Sequence, residues 1–137
     1  MNTMSDHLLD TNVLIRCLRG LRPALQLLEH LAARGALNVS VLSRVEVLAR
    51  MWPREQAATV DLLSALTALP VTTEVADTAS RLISGQSRQG IALPVPDALI
   101  VATAQVHNLT LVTYDRRHLD RIDGLRLYSV TAGENQR

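Results

Sequence analysis

Four of the thirteen acidic residues stand beside apolar segments rather than on polar helix faces or in loops: Asp10, Glu46, Asp97 and Asp115. Burying an unpaired carboxylate is costly, so each of these side chains is either exposed or has a partner. Four carboxylates brought together would repel one another strongly, and hard divalent cations such as Mg²⁺ or Mn²⁺ relieve such repulsion through oxygen ligands. Metal ions held by carboxylates are a known means of cleaving a phosphodiester. That is the chemistry these residues would support if the fold brings them together.

Each acid taken alone also has a structural explanation. Asp10 suits the cap of a following helix, and Asp97 suits a helix N-terminus. Glu46 completes the pattern SRVE, a capping box with Ser43 as N-cap, and Asp115 is typical of a turn. Either explanation holds for one residue, but four independent caps need not recur at one place in a fold.

The elements that must position these acids follow from the apolar pattern. Strands are predicted at His7–Leu9, Leu37–Val41, Leu69–Thr72, Thr110–Thr113 and Leu125–Val130. Helices are predicted at Asn12–Arg19, Pro23–Arg34, from Ser43 to a break at Trp52, Arg54–Leu66 and Thr73–Ser84, and from Asp97 onward. Gly85 and Gly90 are expected to end the helix that begins at Thr73.

Strands alternate with helices, and the strands lack a period-two apolar pattern, which favours an α/β fold with a parallel sheet covered on both faces. Three of the four acids follow strands, and Asp97 opens the helix that leads into TLVT. Ligands of such folds bind outside the carboxyl ends of the strands, so the acids are expected at that edge.

Composition narrows the class of protein. The chain has 137 residues, 47% of them hydrophobic, which is typical of one globular domain. No apolar run is long enough to span a membrane and no secretory signal is recognised, so a cytoplasmic protein with a reduced, buried Cys17 is expected. All fourteen basic residues are arginine. The absence of lysine argues against P-loop nucleotide sites, phospho-receiver domains and haloacid-dehalogenase-type phosphatases, which use one.

Polar neighbours of the acids suit supporting hydrogen bonds. Thr11, Asn12, Ser43 and Thr113 could orient metal ligands, although local capping explains them equally well. Arg116 and Arg117 are candidate contacts to a substrate phosphate, and a solvated turn is the alternative.

Four motifs resemble, in order and spacing, those of PIN-domain nucleases, and most of all the VapC-type toxins of prokaryotic toxin–antitoxin pairs. They are LLDTNVLI from residue 8, SRVEVL from 43, PDALIVATA from 96 and TLVTYDRRHL from 110. The resemblance extends to about Val130. It implies a PIN-like three-layer α/β/α sandwich with a mainly parallel sheet, formed by residues 1–130 as one domain, with 131–137 as a frayed tail.

The resemblance also implies an activity. Asp10, Glu46, Asp97 and Asp115 match the family's acidic quartet, which holds Mg²⁺ or Mn²⁺ for endonucleolytic cleavage of RNA. Thr113 matches the residue that supports the last acid, and Asn12 matches the polar residue after the first. Leu119 stands where many members have phenylalanine, a difference in packing rather than chemistry.

The partners implied are an RNA substrate, a cognate antitoxin and a second copy of the chain, as a homodimer or a larger toxin–antitoxin assembly. Candidates for an apolar groove that binds the antitoxin are Trp52, Leu62, Leu63 and Leu66, and core packing is the favoured explanation for any single one of them. The alternatives to a toxin are a PIN-like nuclease for RNA processing or DNA, and a module that binds RNA or protein without cleavage.

Overall fold

The structure is a computed structural model, and it describes residues 6–128. Its strands are β1 (His7–Leu9), β2 (Leu37–Ser40), β3 (Thr67–Leu69), β4 (Thr110–Val112) and β5 (Arg126–Leu127). Its helices are α1 (Thr11–Leu18), α2 (Arg22–Ala32), α3 (Val41–Arg50), α4 (Gln56–Ser64), α5 (Thr73–Arg88) and α6 (Val95–Val106). Short 3₁₀ turns lie at Pro53–Glu55 and Leu119–Arg121.

The five strands form one sheet in the order β3-β2-β1-β4-β5, and every neighbouring pair is parallel. Residue His7 of β1 is in register with Leu37 of β2 on one side and with Thr110 of β4 on the other. This confirms the predicted parallel sheet. From β1 the chain builds outward to β2 and β3, and then crosses to β4, so the strand order reverses between β1 and β4. Such a reversal opens a crevice at the carboxyl ends of the two strands.

Side chains that alternate along β1 and β4 enter two cores on opposite faces of the sheet. Leu8 and Leu111 pack in one core with residues of α5 and α6. Leu9 and Val112 pack in the other with residues of α1–α4. Both faces are therefore covered, which explains the absence of a polar face in the strand sequences and confirms the three-layer architecture.

Helix α1 is fixed to α2 by the second core. Cys17 of α1 is a free, buried thiol, as predicted, and its Sγ lies 3.5 Å from the carbonyl oxygen of Ala24. Burial raises the pKa of Cys17 to about 11.

Several boundaries differ from the predictions, and two of these differences have a clear physical reason. The third strand was predicted at Leu69–Thr72, but β3 ends at Leu69 because Pro70 follows it and cannot donate to the sheet. Helix α5 was predicted to end at Ser84, but Gly85 lies inside it and the helix continues to Arg88. A glycine within a helix costs about 1 kcal/mol, so tertiary packing against α6 outweighs it. Gly90, with a φ of 79°, provides the left-handed turn that follows the helix.

The predicted fifth strand is shorter in the structure, and its residues 129–130 lie outside the described part of the chain, as does the predicted tail 131–137. Within residues 6–128, no helix is both long enough and apolar enough to cross a membrane.

Candidate functional site

The four predicted acids come together around one cavity of about 680 Å³ at the carboxyl edge of the sheet. Asp10 follows β1 and caps α1, while Glu46 lies in the middle of α3. Asp97 is in the first turn of α6, and Asp115 lies just beyond β4. The reversal of strand order between β1 and β4 therefore lies beneath the acids.

Asp10 is held at both carboxylate oxygens. Its Oδ1 accepts a hydrogen bond of 2.7 Å from the backbone N–H of Thr11, and its Oδ2 accepts one of 2.8 Å from the hydroxyl of Thr113. Burial raises the pKa of Asp10 despite these bonds, and the negative charges of Asp97 and Glu46 raise that pKa further. The carboxylate is thus fixed in position in a region of excess negative charge.

Thr113 joins the first and last acids. Besides donating to Asp10, its Oγ1 accepts hydrogen bonds of 3.1 Å from Asn12 Nδ2 and from the backbone N–H of Asp115. Asn12 in turn accepts a bond of 3.2 Å from the backbone N–H of Tyr114. The family resemblance implied that Thr113 supports Asp115. The structure shows that it contacts the backbone of Asp115 and the carboxylate of Asp10.

Glu46 is held by a second hydroxyl. The Oγ1 of Thr11 lies 2.6 Å from Glu46 Oε1 and 2.9 Å from the hydroxyl of buried Ser43. Thr11 therefore contacts Glu46 directly, and Ser43 supports Glu46 through its contact with Thr11.

The prediction that Ser43 caps α3 is wrong. The cap is Ser40, whose backbone is extended and whose hydroxyl accepts a 3.0 Å hydrogen bond from the backbone N–H of Leu42. Ser43 is instead the third residue of the helix, where it faces Thr11 of α1. The pattern SRVE resembles a capping box, but the helix begins one turn earlier.

Asp97 is exposed, and no side-chain hydrogen bond holds its carboxylate within residues 6–128. Desolvation raises the pKa of Asp97, and the charges of Asp115 and Glu46 add to the rise. Its position comes from α6, whose buried alanines and valine fix the helix against the first core.

Asp115 is bound by an arginine of its own loop. Arg117 Nε and Nη2 donate hydrogen bonds of 2.9 Å to Oδ1 and Oδ2 of Asp115, and this bidentate pair lowers the pKa of Asp115. The pair is solvent-exposed, since 83% of the Arg117 side chain and 49% of the Asp115 side chain are accessible. Arg117 thus lines the cavity, and its guanidinium binds the carboxylate of Asp115 instead of being free to bind a phosphate.

Arg116, the other predicted phosphate contact, is not among the residues that line the cavity. Its guanidinium donates hydrogen bonds of 3.0 Å to the carbonyl of Tyr128 and 3.1 Å to Asp120. These bonds connect the loop after β4 to the chain beyond β5.

Three further arginines, which the sequence motifs do not include, line the cavity: Arg16, Arg19 and Arg50. Arg16 and Arg19 follow Asn12 by four and seven residues, and Arg50 follows Glu46 by four. Residues at this spacing share a helix face, so the pattern was present in the sequence.

The donor set fits a hard divalent cation, because four carboxylates face one cavity and the pKa values of Asp10 and Asp97 are raised partly by neighbouring acids. Within residues 6–128, however, no group of three or more His, Cys, Asp or Glu side chains is arranged to hold a metal ion. The ion pair with Arg117 explains part of this absence. Both carboxylate oxygens of Asp115 accept hydrogen bonds from Arg117, so they do not face a shared metal position.

Comparisons with known proteins agree with this architecture. The sequence profile of the PIN domain matches residues 7–125. Ribonuclease VapC10 of Mycobacterium tuberculosis is 31% identical over 119 residues, which cover 87% of this chain and 90% of that protein.

Solved structures show the same likeness. A chain of a toxin–antitoxin complex from Klebsiella pneumoniae is 30% identical with a TM-score of 0.74, and the match covers 87% of this chain and 94% of that one. A chain of DNA-bound VapBC from Salmonella typhimurium has a TM-score of 0.81 at 22% identity, covering 93% and 100% of the two chains. At that identity the likeness concerns the fold.

Proposed function

Since the chain belongs to the PIN-domain family and is related to its VapC ribonucleases, we propose that it is the metal-dependent endoribonuclease toxin of a toxin–antitoxin pair. The observation that carries this proposal is the convergence of Asp10, Glu46, Asp97 and Asp115 on one cavity. The proposed nuclease domain comprises residues 1–130, and its proposed place of action is the cytoplasm, where cellular RNA is found.

In this proposal the four carboxylates hold Mg²⁺ or Mn²⁺. Such a cation, when bound, supplies a water of lowered pKa and a positive charge for the phosphate oxygens. The chain's own contribution is to position the ligands. The hydroxyls of Thr113 and Thr11 orient Asp10 and Glu46, and Asn12 holds Thr113 in turn. Mutating such supporting partners typically lowers metal affinity or activity by about 10–100-fold.

The proposed partners are RNA as substrate, a cognate antitoxin and a second copy of the chain. The antitoxin is supported by the 30% identical chain, which was solved in a toxin–antitoxin complex. Of the apolar residues considered for its binding surface, Leu63 is buried in the second core, whereas Trp52 is 57% exposed beside Arg54. Trp52 is therefore the one of the four best placed to meet a partner.

The test is RNA cleavage by the purified chain, free of antitoxin, with Mg²⁺ or Mn²⁺ and with chelator. Asp97→Asn keeps the shape of the side chain and removes its charge, and Asp77→Asn on the exposed face of α5 is the matched control. We expect cleavage with metal by the wild type and by Asp77→Asn only. Equal cleavage with chelator or by Asp97→Asn would refute the metal-dependent mechanism.

A toxin role is tested separately by expression in cells. Growth arrest that is relieved by Asp10→Ala and by co-expression of the product of a small adjacent gene supports the toxin. Cleavage without growth arrest would instead indicate a nuclease for RNA processing or DNA, and RNA binding without cleavage would indicate a binding module.

A further inference from the structure

The cavity carries positive charge as well as the four acids. Helix α1 is capped by Asp10, and Arg16 in its last turn and Arg19 at its C-cap also line the cavity. Helix α3 packs against α1 and carries Glu46 and then Arg50, one turn further on, on the same face. In both helices an acid is therefore followed along the cavity by arginine.

The arginines lie at increasing distance from Asp10 along α1. With a rise of 1.5 Å per residue, Arg16 lies about 9 Å along α1 from Asp10, and Arg19 about 13 Å. Residues 91–94 also line the cavity and contain no charged side chain. Apart from Arg117, the arginines that line the cavity therefore all come from α1, its C-cap and α3.

The side chains of these arginines differ in how they are held. The guanidinium of Arg16 lies 3.9 Å from the ring centroid of Tyr114, a stacked arrangement that fixes its position. Arg19 and Arg50 are exposed, and neither donates a side-chain hydrogen bond nor forms an ion pair within residues 6–128. A basic residue in the last turn stabilises a helix, but that role requires no particular face.

We propose that Arg16, Arg19 and Arg50, the arginine rim, bind the backbone phosphates of an RNA strand beside the phosphodiester that is cleaved. The inference rests on the proposed function, since it takes the acids to be the cleavage site. A polyanion approaching four carboxylates is repelled, and guanidinium groups along its path offset the repulsion while contacting phosphates bidentately. Such contacts position the strand and raise its affinity without reading its bases.

The experiment measures RNA binding separately from cleavage. The full chain with Asp97→Asn is titrated with a fluorescein-labelled single-stranded RNA of about 12 nucleotides and mixed sequence. Fluorescence anisotropy is followed in chelator over a range of salt concentrations. The test variant adds Arg19→Gln and Arg50→Gln, because neither side chain has a structural partner. The control adds Arg81→Gln and Arg88→Gln on α5, which removes the same charge from another exposed surface.

Each lost phosphate contact should reduce the slope of log affinity against log salt by about 0.7. We therefore expect the rim variant to lose about 1.4 from the slope and roughly tenfold in affinity at moderate salt. The control should match the parent. An unchanged slope in the rim variant, or an equal loss in the control, would overturn the proposal.

Failure of this inference is distinguishable from failure of the proposed function. If the wild type cleaves RNA with metal but the rim variant binds RNA as the parent does, the rim is not a phosphate site and the nuclease assignment stands. If the wild type does not cleave but the rim slope falls as expected, the rim is a phosphate site on a non-cleaving protein. Loss of antitoxin binding alone by the rim variant would identify a protein contact and overturn the RNA proposal.

Discussion

The two halves of the acidic site are built differently. The inner pair, Asp10 and Glu46, is half-buried, and each carboxylate accepts a hydrogen bond from a threonine hydroxyl. The outer pair, Asp97 and Asp115, is exposed. Asp97 is positioned by its helix alone, and Asp115 is bound by Arg117. The carboxylates of the inner pair are held by the protein, whereas those of the outer pair are exposed to solvent.

The two pairs also differ in how far apart in the sequence their supporting residues lie. The bond between Thr113 and Asp10 joins residues 103 apart in the sequence, and that between Thr11 and Glu46 joins residues 35 apart. The inner pair is therefore placed by the tertiary fold. The outer pair depends on local structure, so its geometry can respond to a cation or a phosphate. We therefore expect the inner pair to contribute geometry and the outer pair to contribute mainly charge.

The largest expected effect is at Asp10. Asp10→Asn replaces one carboxylate acceptor with a donor and removes the charge, so RNA cleavage should fall more than about 100-fold, beyond what supporting residues cost. Asp115→Asn, at the exposed side, should cost less. Rates measured at saturating Mn²⁺ for both variants, with Asp77→Asn as control, decide the order. A larger loss at Asp115 than at Asp10 would reverse the comparison.

Removing the support of the inner pair should have the next largest effect. Thr113→Val keeps the side-chain shape but leaves Asp10 Oδ2 without its donor and two donors without their acceptor. We expect about 10–100-fold weaker metal affinity or activity and a loss of about 1–3 kcal/mol in unfolding free energy.

The matched control for that change is Thr103→Val. The hydroxyl of Thr103 is also buried, but it donates only to the carbonyl of Leu99 within α6. Denaturant unfolding and Mn²⁺ titration should show a smaller stability loss and unchanged affinity. If Thr113→Val also keeps wild-type affinity, the inner pair does not depend on the threonine.

A smaller effect of opposite sign is expected at the outer pair. Arg117→Gln removes the cation that binds both oxygens of Asp115, so Mn²⁺ should bind more tightly, by up to about fivefold as expected for an exposed ion pair. Arg116→Gln removes the same charge from the neighbouring position, which lies outside the cavity lining, and should leave Mn²⁺ affinity unchanged. The Mn²⁺ affinities of both variants are measured by electron paramagnetic resonance of free Mn²⁺. Weaker binding by Arg117→Gln would show that Arg117 helps to hold the site.

The smallest effect concerns the stability of the metal-free protein. The pKa of Asp97 is raised in the folded state, so its ionisation is less favourable there than in the unfolded chain. The resulting penalty is absent at pH values below the ordinary value of 3.8 and appears as the pH rises through the raised pKa.

Asp97→Asn should therefore raise Tm by roughly 2 °C at neutral pH in chelator, since solvent screens much of the repulsion. The gain should shrink toward about pH 4, where the carboxyl group binds a proton. Thermal unfolding followed by circular dichroism tests both parts, with Asp77→Asn as reference. If the increase in Tm did not depend on pH, its cause would be something other than the charge of Asp97.

The sequence was informative about the acids because each comes after an apolar strand or opens the apolar helix that leads into one, and because the resemblance fixed their order. It was misleading at Ser43, where SRVE has the form of a capping box. The residue that decides its role is Thr11, 32 positions away. No local pattern reports such a contact.

The contacts of the arginines likewise depend on tertiary packing. Arg116 and Arg117 are adjacent in sequence, yet one contacts the chain beyond β5 and the other an acid in the cavity. The spacing of Arg16 and Arg19 from Asn12 could have indicated a shared face. Identifying that face as a wall of the cavity required the packing of α1 against α3.

The most direct test of the proposed metal site is a crystal structure of the chain soaked in Mn²⁺, with anomalous scattering used to locate the ion. We expect an anomalous peak between the inner and outer pairs, at ligand distance from Asp10 and from at least one of Asp97 and Asp115. That peak should be lost in Asp97→Asn crystals. No peak in the cavity at saturating Mn²⁺, or an equal peak in the variant, would contradict the proposal that these acids form a metal site.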